Sequence, residues 1–155
     1  MSSVLTTLQG ATAKILGSDK FFQRVEPLTE NLGDINNQIK IALSKLGVSV
    51  LVLTPGAEGE STNAPGPILN PVNLVVAIFE NVLLNRGERG TKVPAAEFAE
   101  YVAWLLHYPN HAATRQDTFP LTFRRIRLVP DKTLLVYNVE FTTRTALAGI
   151  VATTP

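Results

Sequence analysis

Apolar residues recur every three to four positions near the start of the chain. Val4, Leu8, Ala11 and Ile15, widened by Leu5 and Leu16, predict an amphipathic helix. Ser2 or Ser3 offers its cap, Gly17-Ser18 stops it, and Gly10 weakens it by about 1 kcal/mol relative to Ala. Phe21, Phe22 and Val25 predict a short helical turn before Pro27, or a patch packed on a neighbour. Beyond the turn-like Asn31-Leu32-Gly33, a second and better-specified helix is marked by Ile35, Ile39, Leu43 and Leu46. Asp34 is its N-cap candidate, Gly47 its closing residue, and Lys45 stands near the negative end of its dipole. Val48 to Leu53 is apolar at nearly every position and β-branched at several, the pattern of a strand buried on both faces. From Thr54 to Asn70 the chain turns to Pro, Gly, Ser, Glu and Asn, which predicts a long loop or arm.

The apolar run resumes at Val72 and predicts a strand to about Glu80, followed by a less regular stretch through Val82, Leu83 and Leu84. Asn85 to Gly90 is a polar loop. Pro94 fits the first turn of a helix with Glu97 near its positive end, and Phe98, Val102, Leu105 and Leu106 form its apolar face, joined by Tyr101 and Ala95, before Pro109 ends it. Leu121 to Val129 and Leu134 to Thr142 predict an antiparallel hairpin around Pro130-Asp131-Lys132-Thr133. Leu121 and Phe123 are out of phase with Ile126 and Leu128, so a bulge is expected at Arg124 or Arg125. The weakly apolar, uncharged tail from Ala146 to Pro155 is expected to order only in an assembly. Helices and strands do not alternate strictly. The expectation is therefore an α+β fold, a single domain over residues 1–155 with a mostly antiparallel β-sheet packed against helices.

Composition narrows the function classes. With 14 basic residues against 13 acidic ones the chain has a net charge of +1, unlike a dedicated nucleic-acid binder. There is no Cys, which excludes disulfides and thiolate metal sites. Charged residues make up 17%, below the roughly 25% of an ordinary soluble domain, as expected of a surface covered by other subunits. No basic n-region precedes the first apolar residues, and the longest apolar runs fall far short of the ~20 residues of a membrane span. The expectation is a soluble protein with no membrane partner, made in a reducing cytoplasm.

Candidate chemistry is sparse. His107 and His111 have the spacing of a helical metal pair, but Pro109 breaks the helix between them, so the expectation is no metal site and a helix-terminal His107. The segment Gly56 to Thr62 follows a strand like a phosphate loop yet lacks the required Lys, and Glu58 and Glu60 would repel phosphate. With Pro65 and Pro67 downstream it reads instead as an exposed interaction loop, whose assigned residues are Glu58, Glu60, Pro65 and Pro67. Arg124, Arg125, Arg127 and Arg144 form a basic cluster that is either a solvated face, a set of ion pairs across a subunit interface, or a lumen surface touching DNA phosphates non-specifically. Strand alternation places Arg125 and Arg127 on one face with Arg124 on the other, and Ile126 and Leu128 inward. Glu80, in an apolar stretch, needs a donor such as Arg86 or Arg89, and a structural ion pair at the strand end is the preferred reading. The enzyme alternative is a small hydrolase that would bring Glu80 and His107 or His111 into one pocket.

The run Val72-Asn73-Leu74-Val75-Val76-Ala77-Ile78-Phe79-Glu80-Asn81, followed by Asn85-Arg86-Gly87, resembles small tail proteins of phages. The helix ending Trp104-Leu105-Leu106-His107 and the hairpin from Val129-Pro130-Asp131 to Val136-Tyr137-Asn138-Val139-Glu140-Phe141 continue the likeness. In order of elements, about residues 35 to 144 are similar to the tail terminator, or tail-completion, family of long-tailed phages and related injection systems. That resemblance implies a structural virion protein without catalysis or cofactor, assembled in the host cytoplasm. It implies a hexameric ring of identical copies on the end of the tail, partnered by the tail tube protein and by a neck or connector protein. A head–tail adaptor, another neck protein or a tail-tube subunit is the alternative in the same class.

Overall fold

The computed structural model describes residues 3–30, 33–61, 63, 66–107 and 120–147. In chain order its elements are α1 (Val4–Ser18), a 3-10 turn (Lys20–Phe22), β1 (Pro27–Thr29), α2 (Ile35–Leu46), β2 (Val48–Glu60) and β3 (Ile68–Glu80). There follow α3 (Val82–Arg86), α4 (Ala95–Leu106), β4 (Thr122–Val129) and β5 (Leu135–Ala146). The strands form one sheet in the order β1-β2-β3-β5-β4, antiparallel except for the β1–β2 pair. This is the expected α+β architecture.

Strand alternation divides the apolar residues between two faces. Val48, Val50, Val52, Val72, Leu74, Val76, Ile78, Val139 and Phe141 point to a large core closed by α1 and α4, where Leu8, Leu16, Phe22, Phe98, Val102 and Leu106 meet them. Leu51, Ala77 and Leu28 point to the opposite face, where Ile35 and Ile39 of α2 cover them together with Leu53 and Phe79. The second core is small, and α2 contributes no fully buried residue to it. The helix with the clearest sequence pattern is thus the peripheral one. Gly47 closes it as expected, with φ 77° and its N–H donating to the Leu43 carbonyl at 2.9 Å. Asp34 instead adopts a left-handed backbone, φ 59°, and makes no side-chain cap bond.

Several expectations are corrected by long-range pairing. Thr54 to Asn70 is not a loop: β2 continues to Glu60 and β3 begins at Ile68. Register shifts between Leu53 and Gly56 and between Ala57 and Gly59 absorb the residues that break the pattern. The polar composition there marks a two-stranded arm extended on one side by β5, whose Ala146 pairs with Ile68. The three-residue β1 was not expected, because its parallel partners Val50 to Val52 lie beyond a whole helix. In α1 the inward face is Leu8, Gln9, Thr12 and Leu16, while Ala11 is exposed. Polar Gln9 and Thr12 are buried because they find partners, Thr12 donating to the Leu8 carbonyl at 2.8 Å and Gln9 to Thr54 Oγ1 at 2.6 Å. Ser3 caps α1 through the Thr6 N–H. Pro94 is the N-cap residue of α4, one position before the helix, and all four expected core residues of α4 are buried. Pro109 lies outside the described residues.

Candidate functional site

The arginines of the C-terminal hairpin sit on the face that α2 leaves bare. Phe123 pairs with Phe141 and the next pair is Arg125 with Glu140, so Arg124 is the extra residue of the expected bulge. A bulge breaks alternation, and that corrects the expectation for Arg124: it stays on the same face as Arg125. Its Nε donates to Thr142 Oγ1 at 2.9 Å, and both arginines line a groove of about 460 Å³ with Pro55, Asn73, Glu140 and Thr142. Arg125 donates from Nε to Glu140 at 2.7 Å, and Arg127 stands 3.5 Å from the same carboxylate. The Glu140 hydrogen bond, then its charge, holds the Arg125 guanidinium above its ordinary pKa. Two arginines thus share one glutamate, with Arg124 held beside them by Thr142, and the pairing lies within one copy. Ile126 packs toward the large core as expected, whereas Leu128 is 52% exposed at the sheet edge. The inward side of an edge strand is covered only as far as α4 reaches.

Arg144 belongs to a different place. It is separated from Glu60 by 84 positions, yet its Nη2 donates to Glu60 Oε2 at 2.8 Å and its Nε to the same oxygen at 3.0 Å. Asn70 Nδ2 donates to the other carboxylate oxygen at 3.2 Å. The Arg144 bond, then that of Asn70, holds the Glu60 carboxyl below the usual range. The pair ties β5 to the β2–β3 arm, and the Leu147 N–H reinforces it by donating to the Pro67 carbonyl at 2.9 Å. Glu58 is exposed on the arm, and Pro65 lies outside the described residues.

At the other end of β3, Glu80 is 1% exposed and organises a buried polar knot. Asn85 Nδ2 donates to Glu80 Oε2 at 2.6 Å, the Ala95 N–H to Oε1 at 3.0 Å, and Arg86 Nε approaches at 3.4 Å. The ion pair at the strand end is therefore present, but the strongest partners are a buried amide and the first N–H of α4. Arg89 is not a partner; its carbonyl accepts from Arg24. Asn85 also donates to the Val93 carbonyl and accepts from the Thr91 N–H and hydroxyl. Gly47 and Gly90 let the backbone approach: a Cβ on either would lie 2.2 Å from Asn85 N or 2.1 Å from Asn85 O. His107 lies at the far end of α4, twelve residues or about 18 Å along the helix, where its Nδ1 accepts from the Phe123 N–H at 3.1 Å. The pocket required for a Glu80–His107 hydrolase is not formed. His111 lies outside the described residues, and among those described no cluster of three metal-ligating side chains occurs.

The knot holds up a short helix where the sequence predicts an irregular stretch. α3, capped by Asn81 Oδ1 on the Leu84 N–H, presents Leu83 at 86% exposure, with Val82 and Leu84 also exposed. Val82 and Leu83, with Leu135, Asp131 and Lys132, border a groove of about 390 Å³ at the hairpin turn. Periodicity finds no site in such a short segment; the signal was three consecutive apolar residues beside a loop.

No family model matches the chain, and no curated protein matches it. Among solved structures its fold is similar to a chain from the virion of a native gene transfer agent particle, with a TM-score of 0.56 and 18% identity. The match covers 94% of this chain and 99% of that one.

Proposed function

We propose that this protein is a structural subunit of a phage-like particle, and within that class a tail terminator: a ring subunit that ends the tail tube and joins it to the neck. The observation that carries the reading is the shared fold, which spans nearly the full length of both chains and belongs, in the other, to a virion. A fold alone hosts many functions, so the surface matters too. The leucine-rich end around α3 is exposed on a rigid support, and apolar groups displayed that way are characteristic of contact surfaces. Glu80, the residue best placed by sequence for acid–base chemistry, is saturated by structural partners. The function is geometric: identical copies close a ring, and the ring offers one face to the tube and the other to the connector.

Gold labelling of the tagged chain in particles, with negative-stain images of the purified protein, tests this. Label at the tail–neck junction and rings with a central hole are expected. Label along the tube or at the head portal would replace the terminator by a tube subunit or adaptor, and absence from particles would refute the structural class.

A further inference from the structure

Two exposed patches of the subunit carry opposite charge. On the bare sheet face, among the described residues, the ion pairs of Arg125 and Arg127 go only to Glu140 while Arg124 meets Thr142, and the side chains of Arg125 and Arg127 are 59% and 55% exposed. On the opposite face of the same strands lies α4. Its segment AAEFAEYVAWLL carries two glutamates and no basic residue. Phe98, Ala99, Val102 and Leu106 turn inward, which leaves Glu97 and Glu100 exposed on the outer side with Trp104 one turn further on. Among the described residues neither glutamate makes an ion pair. Within one copy the two patches do not neutralise one another. The helix between them is roughly 10 Å thick before the sheet is added, beyond a Debye length of about 8 Å at physiological salt.

We propose that the arginine face of one copy docks on the glutamate side of α4 of a second copy. The charges are complementary and neither patch is self-complementary, so the contact is heterologous and repeats from copy to copy. Trp104, the single tryptophan of the chain and 61% exposed, lies at the edge of this contact. There an arginine of the neighbour would stack on its ring. The inference rests on the assembly reading above and names the surfaces by which copies meet.

Charge exchange tests it. Arg125→Glu with Arg127→Glu makes both faces acidic, and Glu97→Arg with Glu100→Arg makes both basic. In sedimentation velocity, with Trp104 emission as a second readout, each double variant alone is expected to self-associate at least about ten-fold more weakly than the parent chain. An equimolar mixture of the two should restore association, because acidic and basic copies then alternate. Circular dichroism confirms folding, and Arg125→Gln with Arg127→Gln, mixed with Glu97→Gln and Glu100→Gln, should recover only one contact per pair of copies and so give dimers rather than larger assemblies. Association of the parent chain should also fall as salt rises from about 50 to about 500 mM. Variants that associate like the parent, a folded mixture that stays dissociated, or a parent chain monomeric at about 100 μM would overturn the proposal. So would unchanged self-association accompanied by loss of binding to a labelled DNA duplex, which would assign the arginine face to nucleic acid. A charge-dependent oligomer that never enters particles would leave this interface standing and remove the particle function instead.

Discussion

Asn85→Ala is the sharpest perturbation of the fold. The side chain is fully buried and uses every hydrogen-bonding position it has, donating to Glu80 and the Val93 carbonyl and accepting from the Thr91 N–H and hydroxyl. Removal leaves a carboxylate that is 1% exposed with the Ala95 N–H at 3.0 Å and a long contact to Arg86 at 3.4 Å. Removing a hydrogen-bond donor from a buried carboxylate costs about 3 kcal/mol, since the charge is left under-solvated, and the unpaired Val93 carbonyl adds about 1 kcal/mol. The Arg86 side chain is itself 49% exposed, so Arg86→Ala should cost no more than about 1 kcal/mol. In urea titrations followed by circular dichroism, with a slope of about 2 kcal/mol/M, Asn85→Ala should lower the midpoint by about 2 M and Arg86→Ala by less than 0.5 M. Equal shifts for the two variants would refute the view that the amide, rather than the ion pair, holds the strand end.

Gly47→Ala places a Cβ at φ 77° and 2.2 Å from Asn85 N, so a loss of more than about 3 kcal/mol is expected. Gly10→Ala in open space on α1 should instead add about 0.5–1 kcal/mol, and thermal melts separate the two. Tyr101 donates to both carboxylate oxygens of Asp19 at 2.9 Å, and Tyr101→Phe should cost about 1 kcal/mol in the same melts. Because Arg144 holds Glu60 below the usual carboxylate range, the arm's stabilisation is complete above that range and is lost as pH falls through the depressed value. Protection of the Leu147 N–H, taken relative to intrinsic exchange at each pH, should show this acid loss, and Glu60→Gln should abolish the pH dependence of that protection.

By itself the sequence determined what short-range physics controls. Turn chemistry at Pro130-Asp131 and the phase break between Phe123 and Ile126 were enough for the hairpin and its bulge, because both depend on a few adjacent residues. The α4 face followed from one helical period, and Gly47 from the left-handed backbone that ends a helix. Tertiary structure alone decided where these pieces lie relative to each other. It turned the polar stretch 54–70 into an arm by pairing β2 with β3, and joined Glu60 to Arg144 across 84 positions. It also put Arg124 beside Arg125 and raised Leu83 on the Asn85 knot. The pairings among these have no local signature, because each depends on which strand is neighbour to which and which face a helix happens to cover. Those outcomes are set by long-range burial, which one-dimensional periodicity does not encode.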